Sequence, residues 1–300
     1  MDSSKLSALF IVAAASLWGV IGVFSRELNA VGLTSLQITE VRCFITAAMM
    51  AAILSVYDRK LLRIDPRDIW MFIGTGFLSI VIFNILYFET AELVSLSMTA
   101  VLLYTAPCFV MILSVLIFKE VLTIQKILAL VFAFIGCVLT AGLIGGSDAF
   151  NMKGFLLGLG SGISYSLYSI FGKFALRKYH PMTMTMYTFL VASLCILPFS
   201  DPAGIIGIAA SSANGTMYML GLGILITLIP YFLYAKGLKG MDAGKASVIA
   251  FIEPMVATIA GIAIYGEMLT FSNCLGIFLI LVSVILLNME FGVKRTEVAA

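Results

Sequence analysis

Two stretches of this chain, TAPCFVMILSVLIFKEVLT at 105–123 and IEPMVATIAGIAIYGEMLT at 252–270, carry a proline, a glutamate and a Leu-Thr ending in the same order. Pro107 and Pro254, Glu120 and Glu267, and Thr123 and Thr270 each stand 147 positions apart. The same shift brings Trp18 onto Tyr165, Phe24 onto Phe171, Arg26 onto Lys173, Asn84 onto Tyr231, Tyr87 onto Tyr234 and Leu122 onto Leu269, and it serves about 115 residues in all. Such a chain is expected to fold as two similar units, 1–147 and 148–300, that complete one domain.

The solvent of that domain follows from its surface. Hydrophobic residues make up 61% of the 300 positions and charged residues 11%, whereas an ordinary soluble domain is about a quarter charged. Eighteen basic and sixteen acidic residues cannot supply a polar shell for a core of this size. Apolar runs able to cross a hydrocarbon layer, about 20 residues each, lie near 6–24, 36–57, 69–91, 95–118 and 125–144, and again near 154–175, 183–199, 216–235, 244–265 and 271–290. The stretch Ala203 to Ala213 is too short to span and follows Pro198 and Pro202, so it reads as a loop or an interfacial piece. MDSSK has little of a secretory leader, and the first run reads as an uncleaved span.

Five spans per unit is an odd number, so the second unit enters the membrane from the face opposite to the first. The expected fold is an all-α integral membrane protein of ten transmembrane helices in two inverted five-helix repeats, a recurring plan for secondary transporters. With the amino terminus inside, fifteen of the eighteen basic residues fall on that side. Arg26 and Lys153 fall outside, and Arg42 lies within a span. The asymmetry places both termini in the cytoplasm and the chain in the cell (inner) membrane.

The repeated pattern resembles the drug/metabolite transporter superfamily, and within it the EamA-like ten-helix permeases. The features that carry the resemblance are a proline within the fourth and ninth spans, Glu-x-Leu-Thr opening the fifth and tenth (Glu120-Val-Leu-Thr123, Glu267-Met-Leu-Thr270), and Arg42-Cys-Phe44 in the second. The resemblance implies a basket in which the first four helices of each half surround a central path while helices five and ten lie at the periphery. It also implies transport of small metabolites, often amino-acid export, without ATP hydrolysis.

Candidate site residues follow from depth and mirroring. Glu253 lies roughly 13 Å into the membrane and Arg42 about 9 Å from the outer end of its span, at 1.5 Å per residue. A charge at such depth must be paired, hydrated or protonated. Ser35, Thr39, Arg42 and Thr46 form one polar stripe facing protein or water. Arg42 and Glu253 either neutralise each other across the bundle or meet the carboxylate and ammonium of a zwitterion. Trp18, Asn84, Tyr87, Tyr104, Tyr165, Tyr168, Tyr231 and Tyr234 share this depth and read either as cavity lining or as ordinary core.

Pro107 and Pro254 break the helical ladder and are expected as hinges or cavity-lining bends. Glu120 and Glu267 are expected as helix caps, with a gate as the functional option, and Thr123 and Thr270 as N-caps of the following helices. Glu40 reads as interfacial, and Glu89 and Glu92 as snorkelling to water. Gly154, Gly158 and Gly162 form a doubled GxxxG for close helix contact.

Enzyme signals are absent. Gly240-Met-Asp-Ala-Gly244-Lys245 has one residue too few for a phosphate loop. His180 is a lone loop histidine, and the five cysteines, all inside spans, read as small packing residues. Neither cofactor nor metal is expected. The favoured function is a secondary transporter, in the exporting direction, of amino acids or similar zwitterions by alternating access. Phosphorylated metabolites or nucleotide sugars are the alternative substrates, and a membrane scaffold or lipid-modifying enzyme the alternative classes. Expected partners are a small-molecule substrate and membrane lipids, with proton coupling left open, no nucleic acid, and a monomer or homodimer.

Overall fold

An apolar chain in lipid must satisfy its backbone hydrogen bonds internally, and every described element obeys that rule by being helical. The structure, a computed structural model, describes residues 3–141 and 151–288. The unit boundary at 147–148 and the basic residues Lys294 and Arg295 lie outside these. Eight helices are long and apolar enough to cross a membrane: α1 Lys5–Ala30, α2 Ser35–Tyr57, α3 Pro66–Leu93, α4 Leu96–Phe118, α6 Met152–Lys178, α7 Pro181–Phe199, α9 Ala213–Lys239 and α10 Ala243–Tyr265. The fifth and tenth expected spans are the shorter apolar helices α5 Ile124–Thr140 and α11 Phe271–Leu287. The stretch after Pro202, expected as a loop or an interfacial piece, is a helix, α8 Pro202–Ser211, whose first turn is capped by Asp201 and which has no buried residue. Proline at a first turn costs no hydrogen bond, and it starts α8 rather than preventing it.

Local chemistry sets the helix ends. Thr34 and Gln37 form a reciprocal capping box at the start of α2. Thr123 accepts from Lys126 N at 3.2 Å and Thr270 from Asn273 N at 3.1 Å, the two caps expected from the repeated Leu-Thr. His180 also serves as a cap, its Nδ1 accepting from Met182 N at 3.3 Å at the start of α7.

Glycine decides which helices touch. A Cβ on Gly158 would lie 2.4 Å from Leu102, and one on Gly162 would lie 2.7 Å from Thr105, so the doubled GxxxG of α6 closes against α4. Gly136 and Gly276 seat α5 and α11 against each other, each lying within 2.8 Å of the other's carbonyl once a Cβ is added. Ser7 and Ile11 near the start of α1 meet Gly240 and Gly237 at the end of α9, while Gly154 at the start of α6 meets Leu93 and Val94 at the end of α3. Lys173 near the end of α6 donates to the carbonyls of Leu238 and Met241. α6 therefore finishes at the end of the bundle where α1 begins. Large apolar side chains such as Leu116, Leu156, Phe271 and Phe278 cover the outside.

Five departures from regular helix recur in the interior. α1 turns at Gly19–Val20, α4 breaks at Tyr104–Thr105 and α10 at Ala250–Phe251, and α3 and α9 contain the π-helical stretches Ile73–Val81 and Ile224–Leu228. Pro107 and Pro254 do not sit at the breaks themselves but in the first turn of the helix that resumes after each. There the missing N–H costs nothing and the ring fixes the restart.

This packing makes a stability prediction. Gly158→Val is expected to lower the thermal midpoint of the purified protein, because overpacking against Leu102 costs about 1–3 kcal/mol. Gly207→Ala, on α8 with nothing within 4 Å of its new methyl, is expected to leave the midpoint unchanged or raise it slightly in the same thermal-shift series.

Candidate functional site

The irregular helices surround a cavity of about 450 Å³, within the roughly 300–1,000 Å³ of small-molecule sites. Its wall is made by Trp18, Ile21 and Asn29 of α1, Ser35, Thr39 and Arg42 of α2, Phe83, Asn84 and Tyr87 of α3, Tyr165 of α6, Tyr231 of α9 and Glu253 of α10. A second space of about 360 Å³ shares Trp18, Tyr87 and Glu253 with it and runs on to Arg26, Tyr265 and Glu267. A third, of only about 40 Å³, lies beyond Trp18 and Tyr231 toward Tyr168, Tyr234, Pro107 and Ser247. The passage is wide at the Arg26 end of the bundle and narrows to almost nothing at the other.

Arg42 and Glu253 face the cavity without forming an ion pair with each other. The Arg42 guanidinium donates to Tyr231 Oη at 3.3 Å, and its Nε has no protein partner among the described residues. Its carbon stands 6.0 Å from the Tyr231 ring centre. The Glu253 carboxylate has no protein hydrogen-bond donor among the described residues and opens onto all three spaces. Of the two arrangements open for these charges, mutual neutralisation or binding of a zwitterion, a direct ion pair is not seen. One basic and one acidic side chain are left facing a shared, mostly apolar cavity.

Aromatic side chains close the narrow end. Trp18 meets Tyr231 edge-on at 4.9 Å and Tyr234 at 5.3 Å, and Tyr168 meets Tyr231 at 5.2 Å. Phe189 adds a perpendicular contact with Tyr231 at 4.7 Å. Tyr234 Oη and Ser169 Oγ share a hydrogen bond of 2.8 Å. Tyr168 and Tyr234 thus belong to the plug and the narrow space behind it, while Asn84, Tyr87 and Tyr165 line the wide part. Tyr104 lies between, lining the narrow space and the Arg26 branch and packing on Phe251 at 6.0 Å. Asn84 is fixed by its own helix, donating to Ile80 O at 2.7 Å and accepting from Thr39 at 3.4 Å.

Past the plug the bundle is latched. Glu120 Oε1 accepts from Ala243 N at 2.8 Å and Oε2 from Gly244 N at 3.3 Å. Glu120 therefore caps α10 of the opposite half, not the helix that follows it in sequence. Lys126 pairs with Asp242 at 2.8 Å, and Lys173 holds the carbonyls at the end of α9. Glu267 is exposed and makes no such cap. Glu40 also departs from expectation: it is 3% exposed, with Oε1 accepting from Ser193 of α7 at 2.6 Å, because α7 and α8 cover the face of α2 that carries it. Glu89 and Glu92 are exposed, as expected. Sequence reasoning did not single out Lys173, Arg26 or Ser169 as cavity or latch residues, although the 147-residue offset pairs Arg26 with Lys173.

A family model described as "EamA-like transporter family" matches residues 5–142 and again 152–289. A protein of Archaeoglobus fulgidus named "Uncharacterized transporter" is 30% identical over 280 residues, covering 92% of this chain and 94% of its own. YwfM of Bacillus subtilis, named an uncharacterized transporter, is 26% identical over 99% of this chain and 98% of its own length. YicL of Salmonella typhimurium, named an uncharacterized inner membrane transporter, is 22% identical over 97% of both. One crystal structure shares the fold with a TM-score of 0.79, covering 94% of this chain and 96% of its own at 17% identity.

The geometry predicts a pattern of access. With the native cysteines replaced, single cysteines at Asn29 and Tyr87 are expected to react quickly with a membrane-impermeant maleimide. A cysteine at Ser169, behind the plug, is expected to react at least about tenfold more slowly, because its site is buried and engaged with Tyr234. Equal rates at all three would mean that no plug closes the passage.

Proposed function

This chain belongs to the EamA-like transporter family, a multi-pass membrane transporter rather than an enzyme, and from that premise we propose that it carries a small zwitterion, an amino acid or a close analogue, through the cavity by alternating access. The observation that carries the reading is the unpaired placement of Arg42 and Glu253 on one cavity wall. A guanidinium left with free donors suits a substrate carboxylate. A carboxylate without donors suits an ammonium. The aromatic surround, Trp18, Tyr87, Tyr165 and Tyr231, suits an apolar or aromatic side chain between them.

In this reading α5 and α11 complete ten spans, a slight thinning of the bilayer accommodating their shorter length. The two five-helix halves, meeting near 147–148, are inverted, which the opposed directions of α1 and α6 support. The excess of basic residues at the latched end supports a cytoplasmic position for that end and for both termini. The open cavity then faces outward, and Pro107 and Pro254 mark where α4 and α10 bend as it turns over.

Counterflow in proteoliposomes with a panel of amino acids tests the proposal, run with and without a pH gradient to read any coupled proton. At least one panel member is expected to exchange. Arg42→Gln is expected to raise its KM by about 10- to 100-fold, the loss of one charge-assisted hydrogen bond, and Glu253→Gln to do the same for zwitterions but not for the N-acylated analogue. No exchange of any member by a folded preparation would defeat the zwitterion assignment.

A further inference from the structure

The latched end is a template for what the open end must do. By the 147-residue offset, Glu120 corresponds to Glu267, Lys173 to Arg26 and Lys126 to Asn273. Their partners correspond as well: Ala243 and Gly244 to Leu96 and Ser97, Leu238 and Met241 to Ala91 and Val94, and Asp242 to Ser95. At the latched end every one of these residues is engaged, through the cap from Glu120, the grip of Lys173 on two carbonyls and the Lys126–Asp242 pair.

At the open end an acidic and a basic residue, Glu267 and Arg26, hold the positions of Glu120 and Lys173, and neither makes the mirrored contacts. The Arg26 guanidinium carbon lies over the Tyr265 ring, 4.2 Å from its centre. Asn273 caps α11 with Thr270. Glu267 has no hydrogen-bond partner for its carboxylate among the described residues, and it lines the same vestibule as Arg26. The first-turn N–H groups of Leu96 and Ser97 are donors that α4 cannot satisfy itself, and the Ser95 hydroxyl accepts from Met98 N at 3.3 Å.

We propose that Arg26 and Glu267 form the latch that shuts the open end, Glu267 capping the start of α4 through Leu96 and Ser97 while Arg26 grips the carbonyls of Ala91 and Val94. The inference rests on the alternating-access reading and adds to it the contacts of a state this structure does not occupy. Closing the vestibule removes Arg26 and Glu267 from water, so each needs a polar partner there. The mirrored backbone groups are the partners that the other half of the molecule uses. The neutral pair Asn273 and Ser95 replaces Lys126 and Asp242, which makes this latch weaker by one ion pair than the one seen closed.

The test needs no substrate. In full-length protein with its native cysteines replaced, the pair Ser97→Cys/Glu267→Cys is reconstituted in liposomes and oxidised with copper phenanthroline, and the disulfide is followed by peptide mass spectrometry. A separate variant, Ser247→Cys, reports by maleimide labelling from the Glu120 side whether that end opens. The expected result is a disulfide between positions 97 and 267, together with labelling at 247. Adding Arg26→Ala should slow the disulfide about tenfold, the effect of losing one charge-assisted contact, and Arg26→Lys, the residue type the other latch uses, should restore it. Labelling at 247 without a 97–267 disulfide, or a disulfide indifferent to Arg26→Ala, would overturn the latch while leaving alternation standing. Neither labelling at 247 nor a disulfide would overturn alternating access itself, and the latch with it.

Discussion

Two opposite charges held deep in an apolar bundle without touching each other set the terms for the rest of this structure. Bringing an arginine or a carboxylate into a bilayer interior costs several kcal/mol unless water or a partner is supplied. Direct pairing would repay part of that cost and fill the space between them. The fold instead keeps Arg42 on α2 and Glu253 on α10 at the wall of a cavity of about 450 Å³, so the partner of each must be solvent or cargo. Tyr231 satisfies one donor of Arg42, while the Arg42 Nε is buried without a protein partner among the described residues.

Keeping that space open in lipid requires irregular backbone, and the irregularity is confined to the helices around it. The turn at Gly19–Val20 and the breaks before Pro107 and Pro254 adjoin residues that line the three spaces, and the π-helical stretches of α3 and α9 come just before the cavity-lining Asn84 and Tyr231. α2 and α7 have no comparable internal break, nor do the shorter apolar helices α5 and α11. Freed carbonyls and N–H groups are tolerated only where protein or water can meet them. The π-helical stretches end at Val81 and Leu228, positions 147 apart, and each shifts the face that follows, carrying Asn84 and Tyr87 on one helix and Tyr231 and Tyr234 on the other.

Much of this was legible from residue order, and what was not has physical causes. Hydropathy located the long helices because lipid imposes one length on all of them, and the offset exposed the duplication because Pro, Glu and Leu-Thr recur in fixed order. The depth of Arg42 and Glu253 pointed to the cavity, but whether they touched depended on the crossing of α2 and α10, which no spacing encodes. Glu120 was read as a local cap because caps are usually local, whereas its acceptor geometry is completed by Ala243 and Gly244, 123 and 124 residues away. Glu40 looked interfacial because it is shallow in α2 and on a different face from Arg42, and nothing in its spacing showed that α7 and α8 cover that face. The π-helical stretches left no signal, since one extra residue per turn changes no composition.

The duplication also explains why the cavity has a direction. Where the two halves match, they supply shape: Trp18 mirrors Tyr165, and Asn84 mirrors Tyr231. Where they differ, they supply charge. The position mirroring Arg42 is Phe189, which packs on Tyr231, and the position mirroring Glu253 is Ala106. Had both halves kept both charges, the site would present two guanidinium and two carboxylate groups related by the pseudo-twofold, and a zwitterion could bind equally well in two opposed poses. With each charge kept once, the wall is dipolar, and the zwitterion proposed above would have one favoured pose. A carrier that exchanges the conformations of its halves can then hold its cargo in the same orientation throughout, because the charges that fix the cargo do not trade places when the halves do.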